Sequence, residues 1–510
     1  MVADHPGPLH TAVAPDPVPK AGALPPRRRK GLPSLAGRWL RVHRGAMVPS
    51  ATLTFLGGAG TVTGSKFLLQ LQDTRILVDA GLFQGVRALR RRNWEPFLPP
   101  ADTLDAVVVS HAHLDHVGYL PRLVRQGFAG PIYATRATVE LARIVLQDSA
   151  KIQEYDTAYA RSHGFSKHAD AQPLYDQQDV ARTLPLFRPI GYGVRTEIAP
   201  HVAISLRQAG HILGSASPLV EAAGYPVQFS GDLGRPSHPL LAPPAPPGPA
   251  RAIVLESTYG NRRHGPDQSA GLAAAIRRTI DRGGSVIIPA FAVDRTEVVL
   301  VALHALAEAG EIPDVPIHLD SPMALQALRV YRDATSRGDG DFRADAVIDA
   351  LHSPRLRFAT TTEESIRLNT PLEPCIIISA SGMATGGRVL HHLRTMLPDR
   401  ANSVLLVGYQ ALATRGRDLL EGARQIKIHG MYVPVRAEIV DLSGFSVHAD
   451  SDELVAWLAR CPQEPEVVYL VHGEPDSSRA LAERIGDELG WTAVVARDRE
   501  LVRLKSARPT

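Results

Sequence analysis

Hydrophobic and polar residues alternate over 51–56, the period of a strand with one buried face. Short β-branched or aliphatic runs follow at 65–69, 76–78, 106–109, 227–229 and 253–255, with a further strand end over 205–211, each leading into a glycine-containing or polar loop. After the Pro-rich stretch 243–249 the grammar changes. Helical periods at 269–282, 294–309 and 322–335 alternate with apolar runs at 285–289, 317–320, 375–379 and 403–407, the pattern of an open, mostly parallel sheet with its own core. A helix at 451–460 and a strand at 467–471 close the series. Residues 136–160 read as a polar helix. The segment to about residue 200 holds Tyr155, Tyr159, His163, His168 and Tyr175 and reads as a lid or helical hairpin beside the site, with both histidines at the surface. Residues 1–46, rich in Pro, Ala and Arg and without periodicity, read as a disordered basic tail, with Met47 the expected true start.

The strand ends carry the chemistry. The run 106–109 gives way to His111, His113, Asp115 and His116, four potential metal ligands in six positions. His111 and His113 are too close to share a helix face, but alternate residues of a looped backbone can point the same way. The pattern recurs with Asp79, His211, Asp232, Glu256, His448 and His472, each where a strand gives way to a loop or a helix begins. Asp79 reads as a partner that orients a ligating group. The glycine-rich stretch 57–60 is followed by a second strand, which argues against a dinucleotide-binding turn. The loop 379–388 offers Ser379, Ser381, Gly382, Thr385, Gly386 and Arg388 at a helix start, a candidate phosphate cradle.

Charge refines the picture. The 510 residues carry a net +4, but the first 50 hold eight Lys/Arg against two Asp, a net of +6, which leaves −2 for residues 51–510. Nucleic-acid contact must then use local patches. Arg87, Arg90, Arg91 and Arg92 are either such a patch or a solvated helix face. Cys375 and Cys461 cannot form a disulfide framework, Cys375 reading as a buried core residue, and no apolar run is long enough to cross a membrane; a reducing, cytoplasmic setting fits.

Taken together, these motifs resemble the metallo-β-lactamase fold with an inserted β-CASP domain, the group that includes the endonuclease of mRNA 3′-end formation and the bacterial ribonucleases J. Asp79 matches the first lactamase-fold motif, the stretch 111–116 the second, His211 the third and Asp232 the fourth. Glu256, His448 and His472 match the three β-CASP motifs, with no position missing. His472 favours RNA, because DNA-processing members typically lack this histidine. The resemblance implies an αββα sandwich over 47–260, closed by 441–510, with an α/β insertion of mostly parallel sheet over 261–440.

It also implies two Zn2+ (Mn2+ being the other ion the site would take), one on His111, His113 and His211, the other on Asp115, His116 and His472, with Asp232 bridging both. Asp79 and Asp115 count with the catalytic set. A hydroxide activated between ions about 4 Å apart would attack phosphorus. His448, held by Glu256, would protonate the leaving oxygen, giving a 3′-hydroxyl and a 5′-phosphate. The substrate partner is RNA; no membrane partner is expected, and a homodimer is left open. Two other classes stand beside this one: a thioester or lactam hydrolase on the same metal core, and an RNA-binding scaffold with a structural metal.

Overall fold

The computed structural model describes residues 51–162, 172–265 and 268–504. The expected tail over 1–46, Met47, His163 and His168 lie outside the described residues. The alternation at the start becomes the strand Ala51–Gly57, with Ala51, Leu53 and Phe55 buried and Thr52, Thr54 and Leu56 half-buried. It pairs with Lys66–Leu71 on one side and with Leu501–Leu504 on the other. Thr74–Val78, Ala106–Val108, Ile132–Ala134 and Phe187–Pro189 complete a first sheet of seven strands. A second sheet of seven runs in the order Ala493–Val495, Val467–Val471, Ala252–Glu256, Tyr225–Phe229, Ala216–Ala222, Val202–Gln208 and Thr196–Ala199.

The two sheets face each other through Phe55, Phe67, Phe229, Val254 and Val471. Burying one such side chain is worth roughly 1.5–3 kcal/mol, which is why the alternation decides the packing. On the outer face of the first sheet, Leu77 and Val107 pack with Leu123 and Leu141 of the helices Leu120–Arg125 and Arg136–Ser162. On the outer face of the second, Leu255 and Leu470 pack with Leu454 and Leu481 of the helices Ser451–Ala459 and Pro475–Leu489. This is the αββα sandwich.

The insertion is visible in the strand pairing. The chain leaves the second sheet after Ala252–Glu256 and returns as Val467–Val471, its direct parallel neighbour, with Glu256 opposite Val471. Between them lies a third sheet of six strands, all parallel, ordered Leu356–Phe358, Ile317–Leu319, Ile376–Ser379, Val286–Pro289, Ser403–Leu406 and Glu438–Asp441. Because the two flanking strands are parallel neighbours, Glu256 and His472 emerge at one edge of the sandwich, the edge over which the inserted domain sits.

The expected lid is corrected. Helix Arg136–Ser162 presents Leu141, Val145 and Ala150 inward, and Glu140 pairs with Arg337 of the inserted domain at 3.2 Å. Tyr175 is fully buried, its hydroxyl 2.7 Å from Ser149 Oγ. An apolar stripe over 137–150 holds the first half of this helix as a wall of the fold, while Tyr155 and Tyr159 in its second half are exposed. Helix Arg87–Arg92 buries no residue, yet Arg92 is engaged by Asp498 at 2.9 Å and lies over the Phe83 ring. Among the described residues, no helix is long and apolar enough to cross a membrane.

Candidate active site

The loop 111–116 is held from below by a neighbouring strand end. The Asp79 carboxylate accepts hydrogen bonds from Ser110 N (2.7 Å), from Ser110 Oγ (2.8 Å) and from His116 Nδ1 (2.8 Å). A carboxylate only accepts, so His116 Nδ1 carries the hydrogen and its Nε2 lone pair faces outward. Backbone bonds from Ser65 N to Asp115 O, Ala80 N to His116 O and Leu82 N to Leu114 O clamp the loop. They require Gly81, where a Cβ would stand 1.5 Å from Asp115 O. Asp79 (φ +59°) and His472 (φ +49°) both occupy the left-handed region, a cost the surrounding contacts must hold in place.

Seven donor side chains converge above this base. His111 Nε2 is 3.1 Å from His113 Nδ1, which is 3.3 Å from His211 Nε2. Asp232 Oδ2 approaches His111 Nε2 to 3.5 Å and His211 Nε2 to 3.7 Å. Beside this group, His116 Nε2 is 3.4 Å from His472 Nε2. Asp115 Oδ2 lies 3.3 Å from His472 Nε2, and Asp232 Oδ1 is 3.3 Å from His116 Nε2. A tetrahedral zinc with bonds of 2.0–2.1 Å to nitrogen puts its ligand atoms about 3.3 Å apart. The spacing therefore fits a metal in both groups. Asp232 Oδ1 is buried without a hydrogen bond, a cost that a metal ion removes.

The electrostatics differ between the groups. Burial first, then neighbouring histidines, hold His111 and His211 well below the usual imidazole range; burial brings His113 down to about 4. These rings are neutral, the form a metal needs. Burial works the same way on His116 and His472, but there the carboxylates win. Asp232 and Asp79 raise His116, and Asp232 and Asp115 raise His472. Against its own burial, Asp232 is held well below the carboxylate range by His472, His116 and His111.

At the mouth of the cluster, Glu256 is fully buried and its Oε1 accepts from Leu233 N at 2.6 Å. Its Oε2 is 3.2 Å from His448 Nδ1. The His448 ring centroid is 4.4 Å from that of His211, and its Nε2 makes no hydrogen bond among the described residues. His264 Nε2 donates to the His448 carbonyl at 2.9 Å, which fixes the backbone there.

The loop 379–388 departs from the expected cradle. Ser379 Oγ points inward to the Asp320 carbonyl, and the Arg388 guanidinium bonds Asp320 Oδ1 at 2.6 Å. Asp320 is fully buried and also takes His392 Nε2 at 2.7 Å and Ser365 Oγ at 2.6 Å. A buried carboxylate of this kind consumes the cations near it. Of the other members, Gly382 is buried against Phe291, Ser381 and Gly386 are half-buried, and Thr385 is exposed with its hydroxyl 3.0 Å from Ser381 Oγ. The sequence reading missed Ser110 and Thr258, whose Oγ1 lies 3.1 Å from His472 Nδ1. Each is a hydroxyl beside a strand end, a type too common to stand out.

Three family models match in order along the chain: a β-lactamase superfamily domain over 74–235, a Beta-Casp domain over 296–419 and a Zn-dependent metallo-hydrolase RNA specificity domain over 432–496. The chain is 37% identical over 429 residues to Ribonuclease TTHA0252 of Thermus thermophilus, covering 83% of this chain and 94% of that one. It is 30% identical to transcription termination factor FttA of Methanocaldococcus jannaschii, over 87% of this chain and 71% of that one. It is 32% identical to FttA of Pyrococcus abyssi, over 93% and 72%. The chain belongs to the β-CASP family of metallo-β-lactamase-fold enzymes, metal-dependent hydrolases that act on RNA.

Proposed function

We propose that the chain is a zinc-dependent ribonuclease that hydrolyses RNA phosphodiester bonds and leaves a 3′-hydroxyl and a 5′-phosphate. The observation that carries this reading is the meeting of seven metal-ligating side chains with the Glu256–His448 pair at one edge of the sandwich. His111, His113 and His211 with Asp232 Oδ2 would hold one zinc, and Asp115, His116 and His472 with Asp232 Oδ1 a second; manganese suits the same donors. When bound, the ions supply positive charge for the phosphoryl oxygens and lower the pKa of water towards 7.

The chain's own residues do the rest. Asp79 fixes the tautomer and direction of His116, and Thr258 does so for His472. Asp232 turns one oxygen to each histidine group, so its position sets the spacing of the pair. Glu256, anchored by Leu233 N, holds His448 Nδ1 and leaves Nε2 to carry a proton to the departing 3′ oxygen. The exposed Thr385 with the half-buried Ser381 and Gly386 would meet a phosphate beyond the scissile bond, without Ser379 and Arg388.

The test is incubation with RNA labelled at either end, with and without chelator. Products with 5′-phosphate and 3′-hydroxyl ends, lost on chelation and restored by zinc or manganese, are expected. Which label is released first separates internal cleavage from attack at the 5′ end. RNA binding without turnover, or hydrolysis of a lactam or thioester but not of RNA, would exclude the assignment.

A further inference from the structure

Residues 384–436 of the inserted domain carry eight Lys/Arg against three Asp/Glu, a net of +5 in a body whose residues 51–510 sum to −2. Part of this excess gathers at the hairpin of Gln425–Ile428 and Met431–Pro434, whose strands pair only with each other among the described residues. Ile426, Ile428 and Val433 turn inward to the domain core, so the alternate positions face out. Lys427 and Tyr432 are direct cross-strand partners, with the ammonium 5.7 Å from the ring centroid. Tyr432 is 65% exposed. At the turn, His429 lies 4.7 Å from His391, ring to ring, and both feel the charge of Arg394.

Arg415 joins this hairpin to the loop beside the reaction centre. Its Nε donates to Lys427 O at 2.6 Å, and its Nη1 to Ala384 O and Thr385 O at 3.2 and 3.1 Å. At the other side of that loop Gly382 rests on Phe291, whose ring is 6.2 Å from that of His113. A chain of contacts thus runs from the metal-ligating cluster to the hairpin. Along it, Arg388 and Arg417 are neutralised by Asp320 and Glu421. Arg394, Arg415 and Lys427 form no ion pair with a carboxylate among the described residues.

We propose that the outer face of this hairpin docks single-stranded RNA extending beyond the scissile bond, with a base stacked on Tyr432 and phosphates on Lys427, Arg394 and Arg415. An exposed aromatic ring among unpaired cations is the combination that holds a single strand without reading its sequence. A protein partner would call for a wider apolar centre, and here only Met431 and Tyr432 are large, exposed and apolar. The inference rests on the ribonuclease reading above.

The test uses metal-loaded protein and two surface variants, Tyr432→Ala and the double variant Arg394→Ala with Lys427→Ala. Thermal melting first confirms that both are folded. Binding of an unstructured RNA of about 30 nucleotides is followed by fluorescence anisotropy in a His448→Ala background, and turnover of the same RNA is compared with that of a nitrophenyl phosphodiester. Tyr432→Ala should bind about tenfold more weakly. The double variant should lower the slope of log affinity against log salt by about 1.4. Both should raise KM on the long RNA, leave kcat unchanged, and leave the small diester untouched. Unchanged RNA affinity in the folded variants overturns the proposal, as does an equal loss on RNA and diester. Unchanged RNA affinity with weakened self-association would assign the face to a second copy of the chain. If the parent protein binds RNA with this salt and Tyr432 dependence yet cleaves none, the ribonuclease reading falls and the docking face stands.

Discussion

The loops 111–116 and 379–388 both leave a buried parallel strand, both are rich in polar groups, and both lead into a helix. They end in opposite states. In the first, His111, His113, Asp115 and His116 meet His211, Asp232 and His472 at ligand spacing, and Asp232 Oδ1 keeps no hydrogen bond. In the second, Ser379 and Arg388 are taken up by Asp320, which also binds His392 and Ser365. The difference lies in where the neutralising charge sits. Asp79 under the first loop accepts from one edge of His116 and frees the other, whereas Asp320 under the second takes the charged end of the arginine itself. Polar residues at a strand end become a site only when the fold leaves their working atoms without an internal partner.

The strongest way to break this contrast is Asp232→Ala. It should leave the protein without its full metal complement and reduce RNA cleavage to background, read by elemental analysis and turnover; retention of two zinc per chain with activity would overturn the shared-ligand role. Next, His448→Ala should keep both metals and RNA binding yet cleave roughly 10²–10⁴-fold more slowly. A nitrophenyl phosphodiester, whose leaving group needs no proton, should recover most of that loss. His472→Ala should instead lose a metal and not be recovered.

The second loop predicts stability rather than chemistry. Asp320→Ala strands His392 in the interior, takes away the carboxylate partner of the half-buried Arg388, and should destabilise the chain by roughly 3–5 kcal/mol, seen in denaturant unfolding. Turnover of the small diester by the remaining folded protein should be unchanged. If Arg388→Met abolished RNA binding without loss of stability, the contrast between the loops would fail.

Lys66 gives the mildest test. It is buried, lies over the Phe83 and Tyr119 rings at 4.3 and 4.9 Å, and has its pKa lowered to about 7, by burial first and then by Arg92. Between pH 7 and the unfolded value of about 10.4 the unfolded chain binds more protons, so stability rises with pH across that window and the full penalty acts below it. Lys66→Met should therefore stabilise the protein most below pH 7, with a gain that shrinks by on the order of 2–3 kcal/mol between pH 6 and 9.5. A gain independent of pH would show that Lys66 does not change charge on folding in this range.

These cases show what could be read from the sequence. The run 106–109 followed by four potential ligands was legible because few structural roles demand histidine and aspartate at a buried strand end. Glu256 and His448 were legible only alongside the other motifs, because nothing local connects residues that meet across the inserted domain. The failure at Arg388 has a different cause: Asp320 lies on another strand, and its need for cations appears only once it is buried. Tyr175 misled for a similar reason, since its hydroxyl finds Ser149 one helix away. Ser110 and Thr258 act through geometry that their residue type does not announce.

The pairing of Leu501–Leu504 with Ala51–Gly57 has a consequence for synthesis on the ribosome. Ala51–Gly57 waits for Leu501–Leu504, made far later, and the second sheet stays incomplete until Val467–Val471 settles against Ala252–Glu256. His448 and His472 emerge after the whole inserted domain. Domains fold as units during translation, so the third sheet can form while the sandwich around it is still open. A nascent chain therefore holds Asp79, His111 and Glu256 long before it holds a complete cluster. A hydrolase tethered beside the message being translated lacks its complete ligand cluster until its chain has been made through His472.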